Sequence, residues 1–176
     1  MNNETVQSKD DKISASNQPH IVLLEGFNNI LAHIANHTET DSLKIVFICM
    51  GVLNTYLKMI VKLIKGSITA KEMLQIKRIG KILDTIPLRI AMGRIVHLNN
   101  IFSEINKPFR RLIILEEKQN RSGVNANNII VLMKAMSDIL ERASDHEKVN
   151  TIQQVRQIFS ELNMKTGKII NLIKKG

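Results

Sequence analysis

From residue 20 onward, apolar positions recur at helical spacing, and alternation of the strand type is nowhere sustained. Leu23, Leu24, Phe27, Ile30, Leu31 and Ile34 fall on one face of a helix predicted over 20–36. The polar link 37–41 supplies N-cap candidates for a second helix over 42–65. That helix is apolar almost all round in its first half and carries only a narrow polar stripe later, at Thr55, Lys58, Lys62 and Lys65. Such a pattern predicts the central helix of a bundle.

Gly66 reads as a C-cap, and Thr69 with Glu72 reads as a capping box opening a third helix that ends near Thr85. Pro87 suits the first turn of a helix over 87–106, and Pro108 opens a shorter one to about Lys118. The stretch 119–125 has loop chemistry. A helix over 127–143 follows, then Ser144 and Glu147 as another capping box before a last helix over 147–174. The apolar runs 112–115 and 129–132 are short and flanked by helix formers, so they join helices rather than strands. The expectation is an all-α fold: a compact bundle of about six to seven helices forming a single domain over 20–176. Residues 1–19 hold two isolated aliphatics among Ser, Asn, Asp and Lys, and predict a disordered tail.

Composition sharpens this picture. Hydrophobic residues make up 44% of the chain but aromatics only 3%, with no Trp, so the core must be aliphatic. The one cysteine, Cys49, lies in an apolar run and reads as a buried structural thiol. A lone thiol fits a reducing compartment, so a cytoplasmic (intracellular) location is expected. The first twenty residues contain no apolar segment of the signal-peptide kind. The best membrane-span candidate, 45–64, carries Asn54, Lys58 and Lys62, and reads instead as a core helix of a soluble protein.

Charge changes the picture most. Lys and Arg number 25 against 16 Asp and Glu, a net charge of +9. Residues 42–115 hold 13 of the basic groups and only 3 of the acidic ones, Glu72, Asp84 and Glu104. Lys58, Lys62 and Lys65 form one stripe on the second predicted helix, and Lys71, Lys77, Arg78 and Lys81 share a sector of the third. Arg89 and Arg94 follow, then Lys107, Arg110 and Arg111 around Pro108. Further lysines, Lys165, Lys168, Lys174 and Lys175, lie on the last helix. A solvated helix face ordinarily mixes signs, because like charges repel. So one-sided a balance points to a surface for a polyanion.

Tests for catalysis come back empty. No glycine-rich phosphate loop and no nucleophile elbow occurs, so a non-enzymatic protein without a cofactor is expected. His33 and His37 have a metal-ligand spacing, but no nearby acid or thiol completes a set, and they read as solvated or capping residues. His97 reads as a boundary residue. Ala91-Met92-Gly93-Arg94-Ile95-Val96 resembles the first homology motif of the apoptosis-regulating BH family, and Ile76-Lys77-Arg78-Ile79-Gly80 faintly its third. The two lie too close together for that family's layout, Met92 replaces the expected Trp, and the later Trp-containing motif is missing.

These observations imply a helical protein that binds nucleic acid, RNA ahead of DNA, by backbone contacts with weak sequence preference. Phe109, beside Lys107, Arg110 and Arg111, is the one candidate for base stacking. The aliphatic content and long last helix also suggest a homo-oligomer. By analogy, a viral nucleocapsid-type or polymerase-associated factor fits. The alternative is an interaction adaptor whose partner is an acidic protein or an anionic membrane surface.

Overall fold

The computed structural model describes residues 19–36, 42–64, 66–86, 94–119 and 124–176. These hold six long helices: α1 (Pro19–Asn36), α2 (Ser42–Ile64), α3 (Ala70–Asp84), α4 (Ile95–Gln119), α5 (Val124–Ala143) and α6 (Ile152–Lys175). No strand occurs among the described residues. The fold is all-α, as the periodicity predicts. Of the expected tail, 1–19, residues 1–18 lie outside the described residues, whereas Pro19 belongs to α1.

Each helix packs on its chain neighbours, and α6 returns to pack on α1, so the bundle is a closed ring in chain order. Its interior is one aliphatic core drawn from all six helices, including Ile34, Phe47, Leu83, Leu98, Leu140 and Ile158. Phe102 of α4 and Phe159 of α6 meet inside it with ring centroids 5.7 Å apart. Gly26 lets α1 and α2 close up: a Cβ there would stand 2.3 Å from the Tyr56 ring.

Three sequence expectations are corrected by this packing. The second helix is not central. α2 packs between α1 and α3 and buries Val46, Phe47, Met50, Leu53 and Ile60, while Ile48, Val52, Met59 and Leu63 remain exposed. Hydrophobicity all round therefore does not mean burial all round.

Pro108 does not open a helix but sits inside α4. An interior proline removes one ladder bond and costs about 3 kcal/mol or more. Contacts with α5 hold the helix on both sides of it. Ser137 Oγ donates to Asn106 Oδ1 at 2.7 Å and accepts from Arg110 Nε at 3.1 Å. The corresponding start at Pro87 lies outside the described residues.

The last helix starts later than expected. Thr151 caps it, with Gln154 completing the box, while Ser144–Glu147 belongs to a turn. Asp145 Oδ1 accepts from Glu147 N at 3.0 Å, and Asp145 O accepts from Val149 N at 2.9 Å, which spends the cap chemistry locally. Buried Asn99 of α4 then fixes the link, donating to Ala143 O at 2.6 Å and Val149 O at 3.0 Å. Its Oδ1 lies 3.0 Å from His146 Nδ1.

The box at Thr69 forms as predicted, and does more than cap. Glu72, only 1% exposed, accepts from Thr69 N at 2.7 Å and from Gln119 Nε2 at 2.6 Å, tying the start of α3 to the end of α4. Replacing Asn99 by Ala strands two buried carbonyls, and at about 1–3 kcal/mol for each the expected loss is about 2 kcal/mol or more in urea denaturation. Thr151→Ala removes only an exposed cap and is expected to cost about 1 kcal/mol. Equal losses for the two variants would show that Asn99 is not a buried tie.

Candidate functional site

α3 turns Glu72, Gln75 and Leu83 inward and leaves Lys71, Leu74, Lys77, Arg78 and Lys81 exposed on its outer face. On α4, Lys107, Arg111, Ile114 and Lys118 fall at i, i+4, i+7 and i+11 and are all exposed, forming one stripe. The two helices run antiparallel, because Glu72 meets Gln119 while Lys71, Leu74 and Gln75 line one groove with Arg111, Ile114 and Leu115. That register carries Arg78 and Lys81 toward the Lys107 end. The groove holds about 240 Å³, and the Leu74 and Ile114 at its floor are each 48% exposed.

Cations dominate the electrostatics of this face, with Glu104 the one acid along the α4 stripe among the described residues. Ion pairs strap α2 to α3, α4 to α5, α5 to α6 and α6 to α1. None of them uses Lys71, Lys77, Arg78, Lys81, Lys107, Arg111 or Lys118, and these cations have no carboxylate partner among the described residues. Arg78 makes only a neutral bond, donating to Gln75 Oε1 at 3.3 Å. Of the five carboxylates on the two helices, Glu72 is turned into the protein, Asp84 pairs with Lys58 of α2 and Glu117 with Lys134 of α5, while half-buried Glu104, one turn before Lys107, and Glu116 are engaged with partners other than these cations.

No protein-family model, curated protein or solved structure matches the chain.

Several cations expected at the site are employed elsewhere. Lys58 Nζ lies 2.7 Å from Asp84 Oδ1, which also accepts from Asn54 Nδ2 at 2.7 Å, so Lys58 is a strut between α2 and α3. Arg110 is held by Glu141 and Ser137 of α5. Lys62 is exposed on α2 and Arg94 at the entry to α4, both apart from the α3–α4 groove. Lys65 and Arg89 lie outside the described residues. Phe109 packs against the core rather than standing clear for a base. The lysines of α6 lie across the ring from α3, and Lys174 pairs with Glu25.

Sequence reasoning missed Lys118 and the two exposed aliphatics. The signal was present: the spacing from Lys107 through Ile114 to Lys118 is a single stripe, and Leu74 lies in the middle of the α3 cations.

Other candidates are weaker. Among the described residues, no three His, Cys, Asp or Glu groups converge as metal ligands. A cleft of about 430 Å³ between α1 and α6 is lined by Glu25, Asn28, Asn29, Gly167, Ile170 and Asn171. Burial pushes the Cys49 thiol above its ordinary pKa, away from the reactive thiolate.

The Asp84 cluster sets one edge of the site and gives a pH test. The hydrogen bond from Lys58, then that from Asn54, holds the Asp84 carboxyl below its ordinary value, against a smaller opposing effect of desolvation. A lowered folded pKa means the unfolded chain takes up the proton first, so this stability is present above the unfolded value and lost as pH falls through the folded one. Asp84→Asn is expected to lower the melting temperature at neutral pH. The gap to the parent should narrow as pH falls below the ordinary Asp value of about 3.9 and close below the lowered folded value. A gap that stays constant on acidification would exclude the charged strut.

Proposed function

We propose that the protein is a non-enzymatic nucleic-acid-binding protein, with RNA favoured, that grips the phosphate backbone on the α3–α4 face. The observation that carries this reading is the row of seven cations left without a carboxylate partner among the described residues. Uncompensated like charges on a folded surface cost stability by self-repulsion, and phosphates relieve that repulsion while releasing counterions.

Two features support backbone contacts over base reading. The outer face of α3 offers no Asn or Gln, since Gln75 is buried and engaged by Arg78. Phe109, the expected stacking residue, packs inward. Recognition by shape and charge suits a duplex RNA, whose grooves are read in that way. A nucleocapsid-type or polymerase-associated role in a virus, and homo-oligomers along the nucleic acid, extend the reading by analogy.

A second reading has its own observation. The apolar floor of Leu74 and Ile114 between Lys71 and Arg111 also suits an acidic, amphipathic segment of a partner protein.

Binding to a labelled duplex RNA separates these. The parent is expected to lose affinity linearly in log salt, with a slope of about −0.9 per phosphate neutralised on a B-DNA duplex and a comparable slope here. Combining Lys71→Ala, Lys77→Ala, Lys81→Ala and Arg111→Ala should flatten that slope by about 3–4, with helicity retained. Lys58→Ala, which removes a strut rather than a contact, should leave the slope unchanged and lower stability. A slope untouched by the fourfold change removes the α3–α4 face. With no Trp and one Tyr in the chain, co-purifying nucleic acid should also dominate the absorbance ratio at 260 and 280 nm until a high-salt wash.

A further inference from the structure

The outer face of α2 is of a different kind from the α3–α4 surface. Ile48, Val52, Met59 and Leu63 lie along one side of the helix, each 38–49% exposed. At 1.5 Å rise per residue, the stripe runs for roughly 20 Å. Thr55 lies within it, and its hydroxyl donates to Gly51 O at 3.4 Å, so the one polar group on the stripe has a partner inside the helix. Contiguous exposed apolar surface of this length marks a place where something docks.

Charge says what. Ser42–Ile64 contains Lys44, Lys58 and Lys62 and no acidic residue. Lys44 and Lys62 are exposed near the two ends of the stripe and have no carboxylate partner among the described residues. Lys58 marks the edge toward α3, the neighbour that carries the cation row. Apolar side chains flanked by lysines, with long aliphatic stems and charged tips, are the composition of a helix that lies in a membrane interface.

We propose that α2 is a docking face for an anionic membrane surface, on which the folded protein rests with this helix flat against the lipid. The segment Leu43–Leu63 is long and apolar enough to cross a bilayer by length and composition. Its inner side, however, is built into the core at Phe47, Met50 and Leu53, so spanning would dismantle the ring. A second copy of the chain is a poorer occupant. Stripe-to-stripe pairing would bring the lysines of both α2 helices and the cation rows of both α3 helices alongside one another. Anionic headgroups complement the same lysines.

The test uses the full chain, cleared of nucleic acid by nuclease and high salt. It is floated with phosphatidylcholine vesicles with and without phosphatidylserine. Flotation is expected only with phosphatidylserine present, and it should weaken as salt rises. The double change Ile48→Gln with Met59→Gln should reduce the bound fraction by about tenfold or more. Its helicity and its RNA affinity should not change, because the cation row on α3 and α4 is intact. Lys44→Gln with Lys62→Gln should weaken flotation in the same way. Three results would overturn the proposal. One is no flotation with phosphatidylserine at low salt. Another is parental flotation of the Ile48/Met59 variant, which would assign the lipid to the cation row alone. The third is a parental dimer that the same variant converts to a monomer, which would assign the stripe to a second copy.

Discussion

Packing of α6 back against α1 closes the ring, and the rest of the structure follows from that closure. Every helix then has two flanking neighbours, one inner face and one outer face. All five Phe pack in or against the core, but most of its side chains are aliphatic, and burial is shared among all six helices. Hydrophobic burial is non-directional, so it fixes which face turns inward without fixing register. Register is set instead by a few buried polar ties.

Those ties work because an unsatisfied buried polar group is costly. Asn99 satisfies the carbonyls at both ends of the α5–α6 link, Glu72 joins the α3 cap to Gln119, and Ser137 bridges Asn106 and Arg110. The same economy sorts the charges. A cation beside a seam with a carboxylate across it becomes a strut, as at Lys58, Arg110, Arg142 and Lys174. At the α3–α4 seam, Glu72 faces inward and the cations on the rim keep their charge unpaired among the described residues. The proposed polyanion face is thus what remains once the structural pairs are assigned.

Two neighbouring outer faces therefore differ in chemistry. α3 and α4 present cations around a small apolar floor, and α2 presents an apolar stripe edged by lysines. Both suit anionic partners but by different means: counterion release for the first, and burial of aliphatic side chains assisted by charge for the second. Their separation on different helices allows each to be altered alone.

Sequence by itself determined the helical class, the boundaries of α1 and α3, the Thr69–Glu72 cap and the cation excess in the middle of the chain. All of these are local: periodicity, cap chemistry and composition act within a few residues. Tertiary structure decided that Pro108 lies within a helix, because contacts with α5 outweigh the lost ladder bond. It also set the late start of α6 at Thr151, because Asn99, far away in the chain, claims the preceding turn. Nor could periodicity tell which side of an evenly apolar α2 would be covered, since that depends on which neighbours the ring supplies. The division of lysines and arginines into struts and unpaired charges has the same cause: a carboxylate's reach is measured across space, and the sequence gives only distance along the chain.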